Sequence, residues 1–160
     1  MAIVIVQSDL LPAGPNATKN APANRQLAAL CGSRFTVPAL VAAADIGSTI
    51  RICKLPANGR YLAGYSKLLS TAGGAGALVS LGHESYRDTN GSTVPANPTF
   101  FGTGFSVAAA GTAFLDTLTT PVHEWDVPND VILTLTVAGA NLPVGFSMAG
   151  TIAYLAAFIG

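Results

Sequence analysis

Charge is what this sequence has least of. Only 10% of its 160 residues are Asp, Glu, Lys or Arg, against about 25% in ordinary soluble domains. Bases and acids balance at eight each, so the net charge is zero. There is no basic patch, and without one the attraction that dominates nucleic-acid binding is missing. Direct contact with DNA or RNA is therefore not expected. Cysteine is scarce as well. Cys31 and Cys53 form no CxxC and no zinc spacing, and two residues make no disulfide framework. They read as small buried or half-buried hydrophobes.

Long apolar runs are nearly absent too. The N-terminal Met-Ala-Ile-Val-Ile-Val has no basic leader and is too short for a signal peptide. Residues 131–160 carry no charge, but this stretch is no membrane span. Its middle, Ala-Gly-Ala-Asn-Leu-Pro at 138–143, has turn composition, and its first half alternates Leu and Thr with the period of a strand. The remainder from Gly145 is shorter than the roughly 20 residues a spanning helix needs.

Catalytic signatures are equally sparse. No HExxH, no Gly-x-Ser-x-Gly and no phosphate loop occurs. The run Gly73-Gly74-Ala75-Gly76 leads into a strand pattern with no Lys-Ser/Thr after it. His83-Glu84 and His123-Glu124 are adjacent pairs, and neighbours on a strand point to opposite faces, so neither pair readily holds one ion. Glu124 and Asp126 share a face about 7 Å apart by the strand rise, a separation that inverting glycosidases use. With a single Trp in the chain and no aromatic cleft around the pair, a solvated edge or subunit contact is the simpler reading. No catalytic residue, metal or cofactor is expected, and an enzyme is the weaker class.

Small, weakly polar residues and short apolar strands make up the rest. Strands are expected at 2–7, from 35 toward 44 with a break at Pro38, and at 49–55, 61–70, 77–82, 122–127, 131–137 and 148–158. Turns lie between them. Pro56-Ala57-Asn58-Gly59 suits a tight one, because Asn and Gly tolerate the positive φ that hairpins demand. Residues 25–31 suit a short helical stretch, 84–103 a loop, and 106–118 an Ala-rich helix weakened by Gly111. Residues 11–25, with Pro12, Pro15 and Pro22, offer little to a core and read as an extended arm. The pattern predicts an all-β fold: an antiparallel β-sandwich or jelly-roll-like barrel with at most one short helix. Residues 1–33 would be the N-terminal strand and extended arm, and 34–160 one sandwich domain. Around 50–65 the strands carry apolar residues on both faces. One face packs on the opposite sheet; the other would meet a neighbouring chain, as the low charge also suggests.

The segment STIRICKLPANGRYLAGYSKLLSTAGGAGALVSLG (48–82), with Asn129-Asp130-Val131-Ile132-Leu133-Thr134-Leu135-Thr136 and Gly150-Thr151-Ile152-Ala153-Tyr154, resembles small β-sandwich structural proteins of tailed-bacteriophage particles. The resemblance implies a capsid decoration, or cement, protein on the outer surface of the virion. It implies no enzymatic role, a major capsid protein as partner and a trimeric homo-oligomer, with no membrane. Contacts would come from the N-terminal strand and arm, Ile3, Ile5, Leu10 and Leu11, and from Phe100, Phe101 and Trp125; the two phenylalanines could equally plug the end of the sandwich. Ile50, Ile52, Leu68, Leu81, Leu133, Leu135 and Ile152 would form the core. The alternative is a receptor- or carbohydrate-binding module of a phage tail or fibre. It would gather Tyr86, Asn90 and Trp125 at exposed loop tips.

Overall fold

The computed structural model describes residues 29–116 and 122–156. The expected strand at 2–7, the arm at 11–25 and parts of three further expected elements (25–31, 106–118 and 148–158) lie outside these residues.

Among the described residues eleven strands follow one another: β1 (Ala29–Val37), β2 (Thr49–Leu55), β3 (Arg60–Ser70), β4 (Leu78–His83), β5 (Tyr86–Arg87), β6 (Thr93–Val94), β7 (Asn97–Ser106), β8 (Gly111–Phe114), β9 (Glu124–Asp126), β10 (Val131–Ala138) and β11 (Met148–Ala156). One sheet has the order β1-β11-β3-β8, with β9 also on β3; the facing sheet has the order β2-β10-β4-β7; β5 and β6 form a small hairpin. All pairings are antiparallel. The partners are nested: β1 with β11, β2 with β10, β3 with β8 and β9, β4 with β7. A long antiparallel ribbon folded over on itself gives this order, which is the jelly roll.

Period-two patterning builds the core. In β10, Val131, Leu133, Leu135 and Val137 point inward and are buried. Leu68, Leu81 and Ile152 are buried with them, as expected, while Ile50 and Ile52 pack half-buried against the core. The apolar doubling in β2 has a local cause. The register with β10 shifts between Leu133 and Thr134, so Cys53 opposes Leu133, Ile50 opposes Leu135, and Ile52 absorbs the bulge. No neighbouring chain is needed to explain those residues.

A larger irregularity organises the other sheet. On β3, Leu62 pairs with Ala153 and Lys67 with Thr151, so residues 63–66 bulge. Buried Ser66 stitches the bulge: its Oγ donates to the Leu62 carbonyl at 2.8 Å and accepts from the Ala153 amide at 2.9 Å. Either side of it, β3 changes partner, with Lys67–Ser70 on β8 and Arg60–Leu62 on β9.

Three expectations are corrected. Residues 106–116 form no helix: β7 runs to Ser106 and Gly111–Phe114 is strand β8. The alanine run at 108–110 is a short connection, and pairing with β3 outweighs a marginal helical propensity. The expected loop at 84–103 contains β5, β6 and most of β7. Pro98 is tolerated because β7 is an edge strand. Finally, Ala29, Leu30 and Cys31 are not helical but pair with Ala156, Leu155 and Tyr154. The Pro56–Gly59 turn is as read, with Asn58 at φ 61° and the Gly59 amide donating to the Pro56 carbonyl.

Candidate interaction surfaces

The two ends of the sandwich differ in chemistry. At one end lie the loops 38–48, 71–77, 107–110 and 139–147. These four loops contain a single ionisable side chain, Asp45, which accepts a hydrogen bond from Asn141 Nδ2 at 2.8 Å. Two of the loops run antiparallel. The Leu40 amide donates to the Phe146 carbonyl, and Ala44 and Leu142 exchange both backbone hydrogen bonds. This ribbon is anchored by buried Leu142 and Phe146 and lifts Val41, Ile46 and Val144 into solvent, with Val41 97% exposed. A mostly apolar tip results, with Asp45 its one charge.

The opposite end is wet and ionic. Arg60 forks onto Asp126, with Nε–Oδ1 at 2.6 Å, and lies 3.6 Å from Glu124. Lys54 pairs with Asp130, Arg51 with Glu84, and His123 with Asp116. These partners hold the Arg51 and Arg60 guanidiniums above their ordinary pKa, first through the hydrogen bonds to Glu84 and Asp126. The Asp130 carboxyl is held below its usual range, chiefly by Lys54. Glu124 and Asp126 do share a face, but both are turned to one guanidinium rather than to an open cleft.

Inside this ionic end sits an aromatic cluster. Trp125 stacks on His83 with centroids 6.2 Å apart and planes 6° from parallel. Phe101 packs on Tyr61 at 4.6 Å, and Phe100 lies across both Phe101 and Trp125. His83 is buried, and its Nδ1 lies 2.8 Å from the Glu84 carbonyl oxygen. Burial also drives the Tyr61 phenol pKa upward. The sequence held a signal for His83 that the adjacent-pair argument passed over: Val79, Leu81 and His83 alternate inward along β4 opposite Val137, Leu135 and Leu133. The two histidines are far apart in role, one inside the cluster and one on Asp116. Among the described residues no three His, Cys, Asp or Glu side chains gather as a metal site.

Both cysteines are unbridged. Cys53 is inward on β2, and burial pushes its thiol up to about 11. No helix among the described residues is long and apolar enough to cross a membrane.

The outer face of the β1-β11-β3-β8 sheet is the third surface. A shallow groove of about 600 Å³ runs between Thr36, Pro38, Leu69, Ala110 and Ala149. It continues into a second lobe of about 250 Å³ beside Lys67, Thr112 and Thr151. Leu30, Leu69 and Phe114 stand exposed on this face. Surface, rather than cavity, is what this molecule offers.

Its fold is shared with a bacteriophage capsid chain. A chain of the cyanophage Pam1 capsid asymmetric unit superposes with a TM-score of 0.58 at 18% identity, covering 91% of this chain and 99% of that one. A chain of the acid-stable capsid of Helicobacter pylori bacteriophage KHP30 gives a TM-score of 0.42 at 14% identity, covering 79% of this chain and 95% of that one. The sequence matches no protein-family model and no curated protein.

Of the contact residues read from the sequence, Ile3, Ile5, Leu10 and Leu11 lie outside the described residues. Phe100 and Trp125 are half-buried and packed on the core. Phe101 is fully buried, so it plugs the sandwich and has no surface to give a partner. Tyr86 and Trp125 pack on each other at 6.0 Å instead of standing free at loop tips, and only Asn90 of that trio is exposed. The surfaces that sequence reasoning missed are the mostly apolar tip and the outer sheet face. Their one legible sign was the lack of charge at 38–44 and 139–147.

Proposed function

We propose that this chain is a non-enzymatic structural protein of a phage virion, which decorates the outer surface of the capsid and stabilises it by bridging capsid subunits. The observation that carries this reading is the agreement in fold, over nearly the whole of both chains, with a chain of a phage capsid asymmetric unit. The segregation of charge supports it. A decoration protein needs one side that prefers protein and one that prefers water, and this sandwich has a mostly apolar tip with one charge, Asp45, at one end and its ion pairs at the other. The tip meets the shell, and the ionic end faces solvent. The partner is the major capsid protein, and the working unit is a homotrimer. The N-terminal segment containing Ile3, Ile5, Leu10 and Leu11 reinforces these contacts, with the half-exposed edges of Phe100 and Trp125 in a lesser part. Affinity comes from apolar area removed from water, about 25 cal/mol per Å², less the cost of association.

The test uses empty shells assembled without this protein. The purified chain should co-sediment with them and raise their melting temperature in calorimetry. A chain that leaves both the shells and their thermogram unchanged would end the proposal.

A further inference from the structure

Three cations have no acid partner among the described residues: Arg87, which donates to the Gly91 carbonyl beside the β5–β6 hairpin, and Arg34 and Lys67, which share the outer face of the β1-β11-β3-β8 sheet. Every described carboxylate is engaged: Glu84, Asp116, Glu124, Asp126 and Asp130 by ion pairs, Asp45 by Asn141, and Asp88 by the amides of Asn90 and Ser92. On the sheet face Arg34 and Lys67 are left over. The register puts them in one row, Arg34 opposite Thr151 and Thr151 opposite Lys67. Two strand spacings separate them, about 10 Å, and the small Thr151 lies between. A carboxylate set over Thr151 could reach both.

The surroundings of that row are apolar. Toward the apolar tip, the next outward row is Thr36, Ala149 and Leu69, where the groove opens. Toward the ionic end, the following rows are Gly32 with the buried Ala153 and Leu62, and then Leu30 with Leu155 and the ion-paired Arg60. Outward residues on one strand repeat about every 6.8 Å. The β1 and β11 side of the face therefore reads, at that spacing, groove, cations, small residues, leucines, with Arg60, already held by Asp126, at the β3 side of the last row.

One segment of the chain has the complementary order. The only acid in residues 1–28 is Asp9. In an extended chain Leu11, Asp9, Gln7 and Ile5 point to one side at the same spacing, reading apolar, acid, polar, apolar. We infer that the segment 3–11 of one copy docks along β11 on the outer face of a neighbouring copy. Leu11 fills the groove beside Leu69, Asp9 sits between Arg34 and Lys67, Gln7 crosses Gly32 and Ala153, and Ile5 covers Leu30 and Leu155. This rests on the assembling role proposed above and names the elements by which copies join. Face-to-face pairing of two such sheets is the poorer solution, because it would bring both pairs of cations together. Reach is sufficient. Residues 12–28, with three prolines, span roughly 50 Å when extended, longer than the roughly 36 Å of the 11-residue β3.

Charge exchange tests it, with assembly mass read by sedimentation velocity and light scattering across a concentration series. Asp9→Lys should weaken self-association about tenfold, the scale of a reversed ion pair. Arg34→Glu with Lys67→Glu should do the same. All three changes in one chain should restore it. An equimolar mixture of the Asp9→Lys chain and the Arg34→Glu/Lys67→Glu chain should form mixed assemblies. Arg34 and Lys67 are exposed and can change without touching the core, and circular dichroism checks the fold of every variant. In the unaltered protein, carbodiimide should give an Asp9–Lys67 cross-link between differently isotope-labelled copies. The inference is overturned if Asp9→Lys assembles like the parent, if the combined variant does no better than its parts, or if the cross-link forms only within one copy. Should the parent chain stay single and ignore shells, the decoration reading fails; should it assemble and bind while Asp9→Lys behaves identically, only the docking register fails.

Discussion

Adding carboxylates to the apolar tip separates folding from docking. Val41 is 97% exposed and Val144 65% exposed, so neither supports the core, and surface changes of this kind stay within about 0.5 kcal/mol of the parent stability. Val41→Asp with Val144→Asp should therefore leave the melting temperature of the free protein within about 3 °C of the parent. Binding is another matter. Burying a valine side chain is worth roughly 1.5 kcal/mol at the low end, and both valines are available for it. Replacing both forfeits at least about 3 kcal/mol, or about a hundredfold in Kd, and an unpaired carboxylate forced into a dry contact adds to the loss. The assay is co-sedimentation with empty shells across a dilution series, alongside Asp126→Ala at the ionic end as the control that should bind normally. An interface whose one carboxylate, Asp45, is already bonded to Asn141 should also hold nearly the same affinity from about 50 to about 500 mM salt, where screening weakens ionic contacts. A double variant that binds shells like the parent would show that the tip does not face them. So would steep salt dependence of the parent.

Four other outcomes follow from the same geometry. Gly82→Ala should destabilise by about 3 kcal/mol or more, because its Cβ would stand 2.1 Å from the Asn97 carbonyl oxygen, a backbone atom that cannot swing aside; Gly91→Ala, which meets only open space at φ +82°, should cost about 1 kcal/mol, and equal melting temperatures for the two would refute the close approach of β4 and β7. Trp125→Ala should cost about 3 kcal/mol in urea denaturation, the lower end for a large aromatic because Trp125 is only half-buried, and a loss below 1 kcal/mol would mean the cluster carries little of the fold. Cys53, whose thiol burial raises to about 11, should alkylate slowly at pH 8 in the folded protein and fast in urea, as read by peptide mass; rapid native labelling would contradict its inward position. The Asp130 carboxyl is depressed by Lys54, so their stabilisation is present above the ordinary carboxyl range near pH 4 and fades as pH falls through the lowered value; the small stability gap between the parent and Lys54→Met should close below about pH 4, and a gap that widens there would reverse the sign argued here.

The strands that came through plainly from sequence are those whose packing is decided by their own alternation. Val131, Leu133, Leu135 and Val137 declare β10 without help, and Asn58 with Gly59 declares the corner between β2 and β3. The elements that did not come through are those whose conformation is decided from elsewhere. Ala108, Ala109 and Ala110 favour a helix locally, but Gly111–Phe114 gains four partners on β3 by staying extended. Residues 97–106 look like loop because β7 is an edge strand, whose Pro98 and glycines are permitted by having only one neighbour. The doubled apolar residues of β2 illustrate the reverse error, in which a bulge at Leu133/Thr134 imitated a second buried face.

Scarcity of charge was legible as a quantity but not as a pattern, and the pattern holds the functional content. Sixteen ionisable Asp, Glu, Lys and Arg side chains scattered evenly over a jelly roll would leave every face equally dry and every face equally prone to stick. The fold instead sends nearly all of the described ones to the β2–β3 and β9–β10 end, where they neutralise one another, and leaves one, Asp45, among the loops of the opposite end. It strands Arg34 and Lys67 on the outer sheet face. No property of residues 38–48 taken alone distinguishes a tip from a buried loop. Only the nested strand order brings them beside 139–147, and only that register carries Arg34 and Lys67 to the two sides of Thr151. A chain with so few ions can commit each surface to a different neighbour because the topology, rather than the composition, decides where the ions go.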